Sequence, residues 1–465
     1  MDQELTLQDA NYLNKEDKRT LALSSLGGAL EFYDFVIYVF YAKIISDLFF
    51  PSTLSPFWAM LNTYGIFAAG YFFRPLGGVV MAHFGDLVGR KKLFSLSILL
   101  MALPTLFIGI LPTFENIGYL APLLLLLMRV VQGIAIGGEI PAAWTFVSEH
   151  VPERKIGLAN GLLTAGLSLG ILLGALMSLW ISLNFSEGQI HDWAWRIPFI
   201  VGGIFGLVAL YLRTYLKETP VFKAMQARKE ISKEMPVKQV LKTHKTAVAI
   251  GMLFTWFLTG CVVVVILAMP NLLIGSFGFE RAQTFEMQSA AIVMQMVGCI
   301  LAGYFADRFG CGKVMMVGAL AVALTAAVFY NSLGHAAHST IFGLYMLLGL
   351  CSGTVGMVSS SMVKMFPAPV RFSGISFSYN LSYAIVGGMT LPLVHWLSQY
   401  SDIGAMYYIL ALTILAFVTA FVFWNKFEKK GIKRFNLLNK KPRLLRGFLM
   451  LLILESKPDI KVNTV

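Results

Sequence analysis

Long apolar stretches alternate with short polar ones along most of this 465-residue chain. A helix that crosses a bilayer needs roughly 20 largely apolar residues, and twelve stretches meet that requirement. The first six lie at 21–45, 57–82, 93–111, 119–146, 157–183 and 195–212, and the second six at 247–274, 283–306, 314–332, 341–363, 375–398 and 405–425. The pattern predicts an all-α membrane protein of twelve transmembrane helices, six on either side of a charged segment.

The polar segments divide the chain into five predicted parts. These are a cytoplasmic N-terminus at 1–20, an N-terminal six-helix bundle at 21–212, a cytoplasmic linker loop at 213–246, a C-terminal six-helix bundle at 247–425 and a basic cytoplasmic tail at 426–465. The first twenty residues lack the apolar core and the cleavage site of a signal peptide. We therefore expect the first apolar segment to remain in the membrane.

Lysine and arginine are unevenly divided between the two sides of the predicted bundle. The formal net charge is +12, although only 13% of the residues are charged. The cations cluster in the linker, the tail and the loops that this topology places inside, whereas only Lys43, Arg196 and Arg281 flank the outside loops. By the positive-inside rule, we expect both termini in the cytoplasm and the chain in the inner membrane of a bacterium. The charge thus indicates a lipid bilayer as partner rather than nucleic acid.

Enzyme chemistry and bound cofactors have little support in the sequence. The seven histidines are scattered and the four cysteines have no paired spacing, so we expect no metal site, disulfide framework or catalytic residue. The chain contains no His-Glu-x-x-His motif, P-loop or nucleophile elbow. These observations argue against an enzyme and against a pump that itself hydrolyses ATP.

Two short motifs each occur twice. The pattern Asp-x-x-Gly at 86–89 recurs at 307–310, and the pattern Pro-x-Arg-x-x-Gly at 152–157 recurs at 369–374, with offsets of 221 and 217 residues. Two pairs at nearly the same offset predict two parallel six-helix repeats, related by an axis along the membrane normal.

Residues 85–91 (Gly-Asp-Leu-Val-Gly-Arg-Lys) and 303–310 (Gly-Tyr-Phe-Ala-Asp-Arg-Phe-Gly) resemble the paired loop motifs of the major facilitator superfamily, and 129–133 resembles its fourth-helix motif. Finer matches resemble the metabolite:proton symporter branch, and most of all its proline/betaine transporters. They lie at 31–35, 73–78, 132–139, 192–199, 218–220 and 366–371. The Gly-Pro pair that marks antiporters in this family is absent from 165–174, which favours symport or uniport.

The resemblance implies a conformational latch on the cytoplasmic side, formed by Asp86, Gly89, Arg90, Asp307 and Arg308. Glycine permits a tight turn, and a carboxylate is favourable near a helix N-terminus. The alternative is that the cations of these loops only fix the topology.

Charged residues inside the predicted spans are the candidate functional residues. A charge at the centre of a bilayer costs about 2.5–3.5 kcal/mol on insertion scales, so it persists where it pairs or faces a cavity. Glu31 and Asp34 share one face of the first helix, and we predict the pairs Asp34–Arg129 and Arg74–Glu139. Either pair is a static salt bridge or a site for proton coupling and substrate, because a desolvated carboxylate holds a proton more readily than one in water.

Aromatic and amide side chains offer a second set of candidates. A rigid aromatic face attracts a quaternary ammonium through cation–π interactions, and the alternative for each ring is packing or lipid contact. The candidates for lining a cavity are Tyr33, Trp144, Trp256, Tyr379 and Asn380.

The function predicted from these features is secondary active import of a small polar metabolite by proton symport with alternating access. A proline- or betaine-type zwitterion is the favoured substrate, because carboxylates and Arg129 in one site can meet both of its ends. An organic acid such as a dicarboxylate, 2-oxoglutarate, citrate or shikimate is the alternative substrate. A non-transporting sensor or a channel is the alternative class. The sequence leaves the oligomeric state open and is compatible with a monomer.

Overall fold

The computed structural model describes residues 25, 28–29, 32–78, 90–213 and 236–429. Within these ranges the regular secondary structure is helical and no strand occurs. The all-α class predicted from the apolar pattern is therefore confirmed, and twelve long helices are described in these ranges.

The N-terminal half contributes six of them. Their bounds are α1 at 32–40 and Ala42–Phe49, α2 at Pro56–Phe72 with a further turn at 74–78, α3 at Arg90–Ile110, α4 at Leu120–Ile136 and Glu139–His150, α5 at Ile156–Asn184, and α6 at Arg196–Arg213. A short helix, Pro236–Thr243, ends the linker and leads into the second half.

The C-terminal half repeats this plan. Its helices are α7 at Lys245–Gly260, Cys261–Leu267 and Met269–Phe277, α8 at Arg281–Phe309, α9 at Cys311–Ser332, α10 at His338–Ser352, Gly353–Gly356 and Met357–Met365, α11 at Ala368–Ser382, Tyr383–Gly387 and Gly388–Leu397, and α12 at Gly404–Phe423 and Trp424–Glu428.

Helix ends and interruptions are where the structure differs most from the apolar pattern. α11 begins at Ala368, before the predicted start at 375, because Pro367 is extended and Pro at the first helical positions is tolerated. Its irregular turn is a π-helical segment, Tyr383–Gly387, which ends at the first glycine of the pair Gly387-Gly388. The predicted segments 1–20 and most of 426–465 lie outside the described residues.

The surface of the bundle suits a lipid environment. Large apolar side chains point outwards on several helices, among them Val317, Leu324 and Ile414. Six helices in the described ranges are long and apolar enough to cross a membrane: Glu153–Asn184, Lys245–Leu267, Arg281–Phe309, Cys311–Ser332, His338–Met365 and Gly404–Glu428. The remaining spans are divided into shorter pieces by turns or by the limits of the described ranges.

Small residues let the two halves approach along α5 and α8. A methyl group added at Gly161 would come within 2.5 Å of the Cys299 carbonyl oxygen, and one at Gly303 within 2.5 Å of the Gly157 carbonyl oxygen. Such close backbone contact is how membrane helices associate without a hydrophobic driving force between them. We call the end of the bundle that carries Gly157 and the linker helix the linker face, and the other end the opposite face.

Candidate substrate and proton site

Arg129 lies inside the N-terminal half, surrounded by aromatic rings. Its guanidinium carbon is 4.3, 4.7 and 4.9 Å from the ring centroids of Phe35, Tyr38 and Phe67, which belong to α1 and α2. Arg129 is fully buried, and its Nη1 donates to Gln132 Oε1 at 2.8 Å. We call Arg129 with these three rings the Arg129 cage.

The hydrogen bonds of the Arg129 cage continue into α3. Gln132 Nε2 donates to Thr105 Oγ1 at 2.8 Å, and Thr105 Oγ1 donates to the Met101 carbonyl oxygen at 2.9 Å. Planar guanidinium groups stack on aromatic faces while donating in their own plane, so rings and amide together fix the charge. Every residue of this arrangement belongs to the N-terminal half.

Arg74 has similar surroundings, but they come from both halves. Its guanidinium carbon is 5.7 Å from the ring centroid of Tyr71 on α2, and 5.3 and 4.4 Å from those of Tyr379 and Tyr383 on α11. The side chain is only 2% exposed. We call Arg74 with these three rings the Arg74 cage. It lies on the boundary between the halves.

Asp34 is buried on the far side of α1 from that boundary. A methyl group added at Gly202 of α6 would come within 2.6 Å of Asp34 Oδ1 and 3.0 Å of Thr105 Cγ2, and one at Gly206 within 3.5 Å of Asp34 Oδ2. The carboxylate thus points towards α3 and α6. The predicted direct pair of Asp34 with Arg129 is wrong, because Arg129 points towards the rings of α1 and α2. Arg129 instead binds Gln132, which in turn donates to Thr105 of α3.

Three of the five predicted lining residues lie on the boundary between the halves. The Trp144 ring of α4 meets the Tyr379 ring edge-on at 4.9 Å, and Asn380 Nδ2 donates to the Gly137 carbonyl oxygen. The other two lie within single halves.

Tyr33 and Trp256 are those two. The Tyr33 hydroxyl donates to the Pro198 carbonyl oxygen at 3.0 Å, and Trp256 Nε1 donates to the Tyr408 hydroxyl at 3.1 Å. Each bond joins helices of one bundle, so these two rings lie away from the boundary, and their role in lining a cavity stays a prediction.

Sequence reasoning missed two rings of the Arg74 cage. Tyr71 stands three residues before Arg74, and Tyr383 stands four residues after Tyr379. Residues at these spacings share a helix face. The spacing was therefore a usable signal for Tyr71 and Tyr383.

The halves are joined at both ends of the bundle. On the linker face, Asp307 Oδ1 and Oδ2 accept from the backbone N–H groups of Gly157 and Leu158 at 2.7 and 2.9 Å. On the opposite face, Arg281 Nε donates to Glu187 Oε1 at 3.0 Å and Nη2 to Oε2 at 3.1 Å. The two halves are therefore in contact at both ends of the bundle.

A further contact crosses the boundary between the halves. Asn271 Nδ2 of α7 donates to the Val39 carbonyl oxygen of α1 at 2.9 Å. Arg308, beside Asp307, lies over the Tyr304 ring at 4.4 Å within α8 itself.

Several candidates fall outside what the structure describes. Glu31, Asp86 and Gly89 lie outside the described residues, as do the side chains of Arg90 and Glu139. The Arg74–Glu139 pair and the first-half latch therefore stay predictions. Among the described residues, no group of three His, Cys, Asp or Glu side chains could hold a metal ion.

Two six-helix halves that close around buried charges have the architecture of a secondary transporter. Comparison with known proteins agrees with that class. The model of the Major Facilitator Superfamily matches residues 25–302 and 262–457. The chain belongs to this superfamily, as its loop motifs predicted, and it is a multi-pass membrane transporter rather than an enzyme.

Among its relatives, the Proline/betaine transporter of Escherichia coli (strain K12) is 30% identical over 89% of this chain and 85% of its own length. The Inner membrane metabolite transport protein YhjE of the same organism is 33% identical, over 88% of this chain and 95% of its own length. A solved structure of the xylose transporter XylE from E. coli, in a partially occluded inward-open conformation, has a TM-score of 0.69 at 17% identity. It covers 89% of this chain and 98% of the XylE chain, and it bears out the fold.

Proposed function

We propose that this chain imports a small zwitterion of the proline or betaine type across the inner membrane of a bacterium, by proton symport. The observation that carries the proposal is Arg74, a buried guanidinium on the boundary between two halves. Its Nε and Nη2 atoms have no hydrogen-bond acceptor in the described part of the chain. A buried donor left without an acceptor costs about 1–3 kcal/mol, and more when it is charged. A substrate carboxylate removes that cost.

The names of the relatives support the choice of substrate. The Proline/betaine transporter and the Glycine betaine/proline/ectoine/pipecolic acid transporter OusA of Dickeya dadantii (strain 3937), which is 29% identical over 90% of this chain, are named for zwitterions. A zwitterion presents a carboxylate to the arginine and an ammonium to carboxylate or aromatic groups. This agrees with the Arg74 cage, in which one cation on the boundary meets several rings.

Asp34 is the proposed proton site. It is a carboxylate inside the N-terminal half and is only 2% exposed. Arg129 communicates with it through Gln132 and Thr105, because Thr105 and Asp34 approach the same point on α6. Protonation of Asp34 would then alter the packing of α6 against α3 and, through Thr105, the position of the fixed arginine.

The two ends of the bundle, where the halves are in contact, are the proposed gates. Opening the linker face requires Asp307 to leave the N-terminus of α5, where a carboxylate is favoured by the helix dipole and by two backbone donors. Opening the opposite face requires separation of Arg281 from Glu187. By the distribution of Lys and Arg, the linker face is the cytoplasmic one, and Asp307 with Arg308 forms the second-half latch.

The test is uptake by proteoliposomes with an imposed pH gradient and a panel of radiolabelled proline, glycine betaine, 2-oxoglutarate, citrate and shikimate. We expect uphill accumulation of proline or betaine, which collapses when the gradient is removed. Asp34→Asn is expected to abolish accumulation and to spare counterflow. Asp47→Asn is the matched control, because Asp47 lies on the same helix in an exposed pair with Lys43 at 2.7 Å.

Other results of the uptake experiment would contradict the coupling site, the symport or the carrier mechanism. Uphill accumulation by Asp34→Asn at the wild-type rate would remove Asp34 as the coupling site. Uptake that ignores the gradient would contradict symport, and conduction without accumulation would indicate a channel. No uptake or counterflow of any solute would favour a sensor.

An organic acid is the second candidate substrate, and one observation favours it. Arg129 also has Nε and Nη2 atoms without acceptors in the described residues, so two arginines offer donors to anionic groups. Preference for 2-oxoglutarate, citrate or shikimate over proline and betaine would establish this alternative.

A further inference from the structure

The three tyrosines of the Arg74 cage form a continuous aromatic surface. The Tyr71 and Tyr383 ring centroids are 5.3 Å apart, and those of Tyr379 and Tyr383 are 4.6 Å apart. Trp144 extends the surface by its edge-on contact with Tyr379. All four rings are buried. Several aromatic faces around one cation are the arrangement by which proteins recognise quaternary ammonium groups.

The cation now in the cage is a side chain of the protein itself. Arg74 fills the space between the rings, while Arg74 Nε and Nη2 and also Trp144 Nε1 lack acceptors in the described residues. Asn380 Oδ1, next along the chain from Tyr379, lacks a donor there. The cage therefore surrounds the guanidinium with rings but leaves its Nε and Nη2 without acceptors in the described residues, and the site combines an aromatic surface for a cation with two donors for an anion.

The backbone of Arg74 is fixed, whereas two of the three rings belong to the other half. A methyl group added at Gly137 of α4 would come within 2.2 Å of the Arg74 carbonyl oxygen, so α2 cannot shift against α4 at this level. Packing across the boundary is looser at this level, since a methyl group at Gly78 would be 3.3 Å from Asn380 Nδ2 and one at Gly387 would be 3.5 Å from the Tyr71 ring. When the halves rock, Tyr379 and Tyr383 move relative to Arg74.

We propose that the Arg74 cage is the ammonium subsite of the transporter, and that Arg74 occupies it as an internal placeholder while no substrate is bound. The substrate carboxylate pairs with the free donors of Arg74 and draws the guanidinium from between the rings. The methylated ammonium of the same molecule then takes its place against Tyr379 and Tyr383. This inference rests on the proposed function, because it requires a substrate with both groups.

The exchange explains selection for zwitterions by simple electrostatics. An anion without an ammonium group leaves the vacated rings without a cation. A cation without a carboxylate must displace Arg74 with no partner for its charge. A molecule that carries both groups at a short separation satisfies both sites together, and each added N-methyl group increases its contact with the rings.

The experiment compares glycine betaine, dimethylglycine, sarcosine and glycine, which differ only in N-methylation. Apparent KM values are measured by counterflow in proteoliposomes for wild type, Tyr383→Leu and Tyr383→Phe. We expect wild-type affinity to rise with methylation. We expect Tyr383→Leu to raise the KM for glycine betaine about tenfold or more while changing that for glycine much less. Tyr383→Phe keeps the ring and is expected to keep the preference.

Tyr379→Leu provides a second variant if Tyr383→Leu does not fold, and size-exclusion profiles report folding for each. If wild type transports glycine betaine and both leucine variants keep its KM and its methylation preference, the cage is overturned while the proposed function stands. Equal losses in the leucine and phenylalanine variants would also overturn it, because the hydroxyl and not the ring would then matter. If wild type takes up only organic acids and no member of the series, the proposed function and the cage both fall.

Discussion

Both arginine cages hold a buried guanidinium against aromatic rings, but one lies inside the N-terminal half and the other lies on the boundary between the halves. Each holds a buried guanidinium against three aromatic rings, at 4.3–4.9 Å for Arg129 and 4.4–5.7 Å for Arg74. The rings around Arg129 all come from the N-terminal half and a side-chain amide binds one of its nitrogens. Those around Arg74 come from both halves.

By this difference, the charge of Arg129 is the fixed one, and the charge of Arg74 is the one that can exchange with a substrate. Contacts within one half survive a rocking motion, so the Arg129 cage and its bonds to Gln132 and Thr105 persist through the transport cycle. Contacts between halves change when the halves rock, so we expect the Arg74 cage to be rearranged in every cycle. Variants of the two sites should therefore separate stability from transport.

The largest expected loss of stability comes from the helix contact that supports the fixed charge. A methyl group at Gly133 of α4 would come within 2.0 Å of the Gly70 carbonyl oxygen of α2, beside Arg129. Backbone cannot yield as a flexible side chain can, so Gly133→Ala is expected to cost about 3 kcal/mol. The measurement is the yield of monodisperse protein in detergent and its melting temperature.

Gly65→Ala is the control for this substitution. A methyl group at Gly65, on the same helix α2, meets no atom within 4 Å, and the variant should resemble wild type. Normal yield and melting temperature for Gly133→Ala would show that α2 and α4 separate easily, and the fixed character of the Arg129 cage would be lost.

Removal of the fixed charge comes next. Arg129→Gln leaves Gln132 Oε1 without its donor and opens a space among three rings. These losses exceed the gain from removing the unmet Nε and Nη2 donors, and we expect a net loss of roughly 2 kcal/mol of stability. The melting temperature should fall both with and without substrate. An unchanged melting temperature combined with loss of substrate binding would place Arg129 among the exchangeable groups and contradict the comparison.

More of the fold than of the site could be predicted from the sequence. Spans of roughly 20 apolar residues and two duplicated motifs are enough to predict two six-helix halves. The direction in which Asp34 points was not predictable, because α1 is apolar on nearly all sides and its rotation is set by packing against α3 and α6. The contact of Tyr383 with Arg74 joins residues more than 300 positions apart, and no periodicity within either helix specifies it.

Removal of the exchangeable charge should change stability less. Arg74→Gln loses the attraction of three rings but also removes a buried charge with unmet hydrogen bonds, and these contributions offset each other to within about 1 kcal/mol. Transport should nevertheless fall by about 100-fold or more, because the carboxylate loses its partner. Melting temperature and counterflow on one preparation test both statements. A melting temperature as low as that of Arg129→Gln would show that the two cages are equally structural.

The smallest effect is expected at the boundary contact most open to solvent. Glu187 is 69% exposed in its bond with Arg281, and exposed pairs contribute about 0.2–1 kcal/mol. Glu187→Gln should therefore leave the melting temperature unchanged and make the opposite face accessible no more than about fivefold more often. Accessibility is measured by labelling a cysteine introduced at Asn271, which lies on the boundary at that face, in a background without the native cysteines.

Asp47→Asn is the control, because it breaks the exposed pair with Lys43 inside one half. It should not change the labelling at all. Equal labelling in the two variants would show that the contact between the halves at Glu187 contributes nothing beyond an ordinary surface pair, and that the opposite face is held by buried contacts alone.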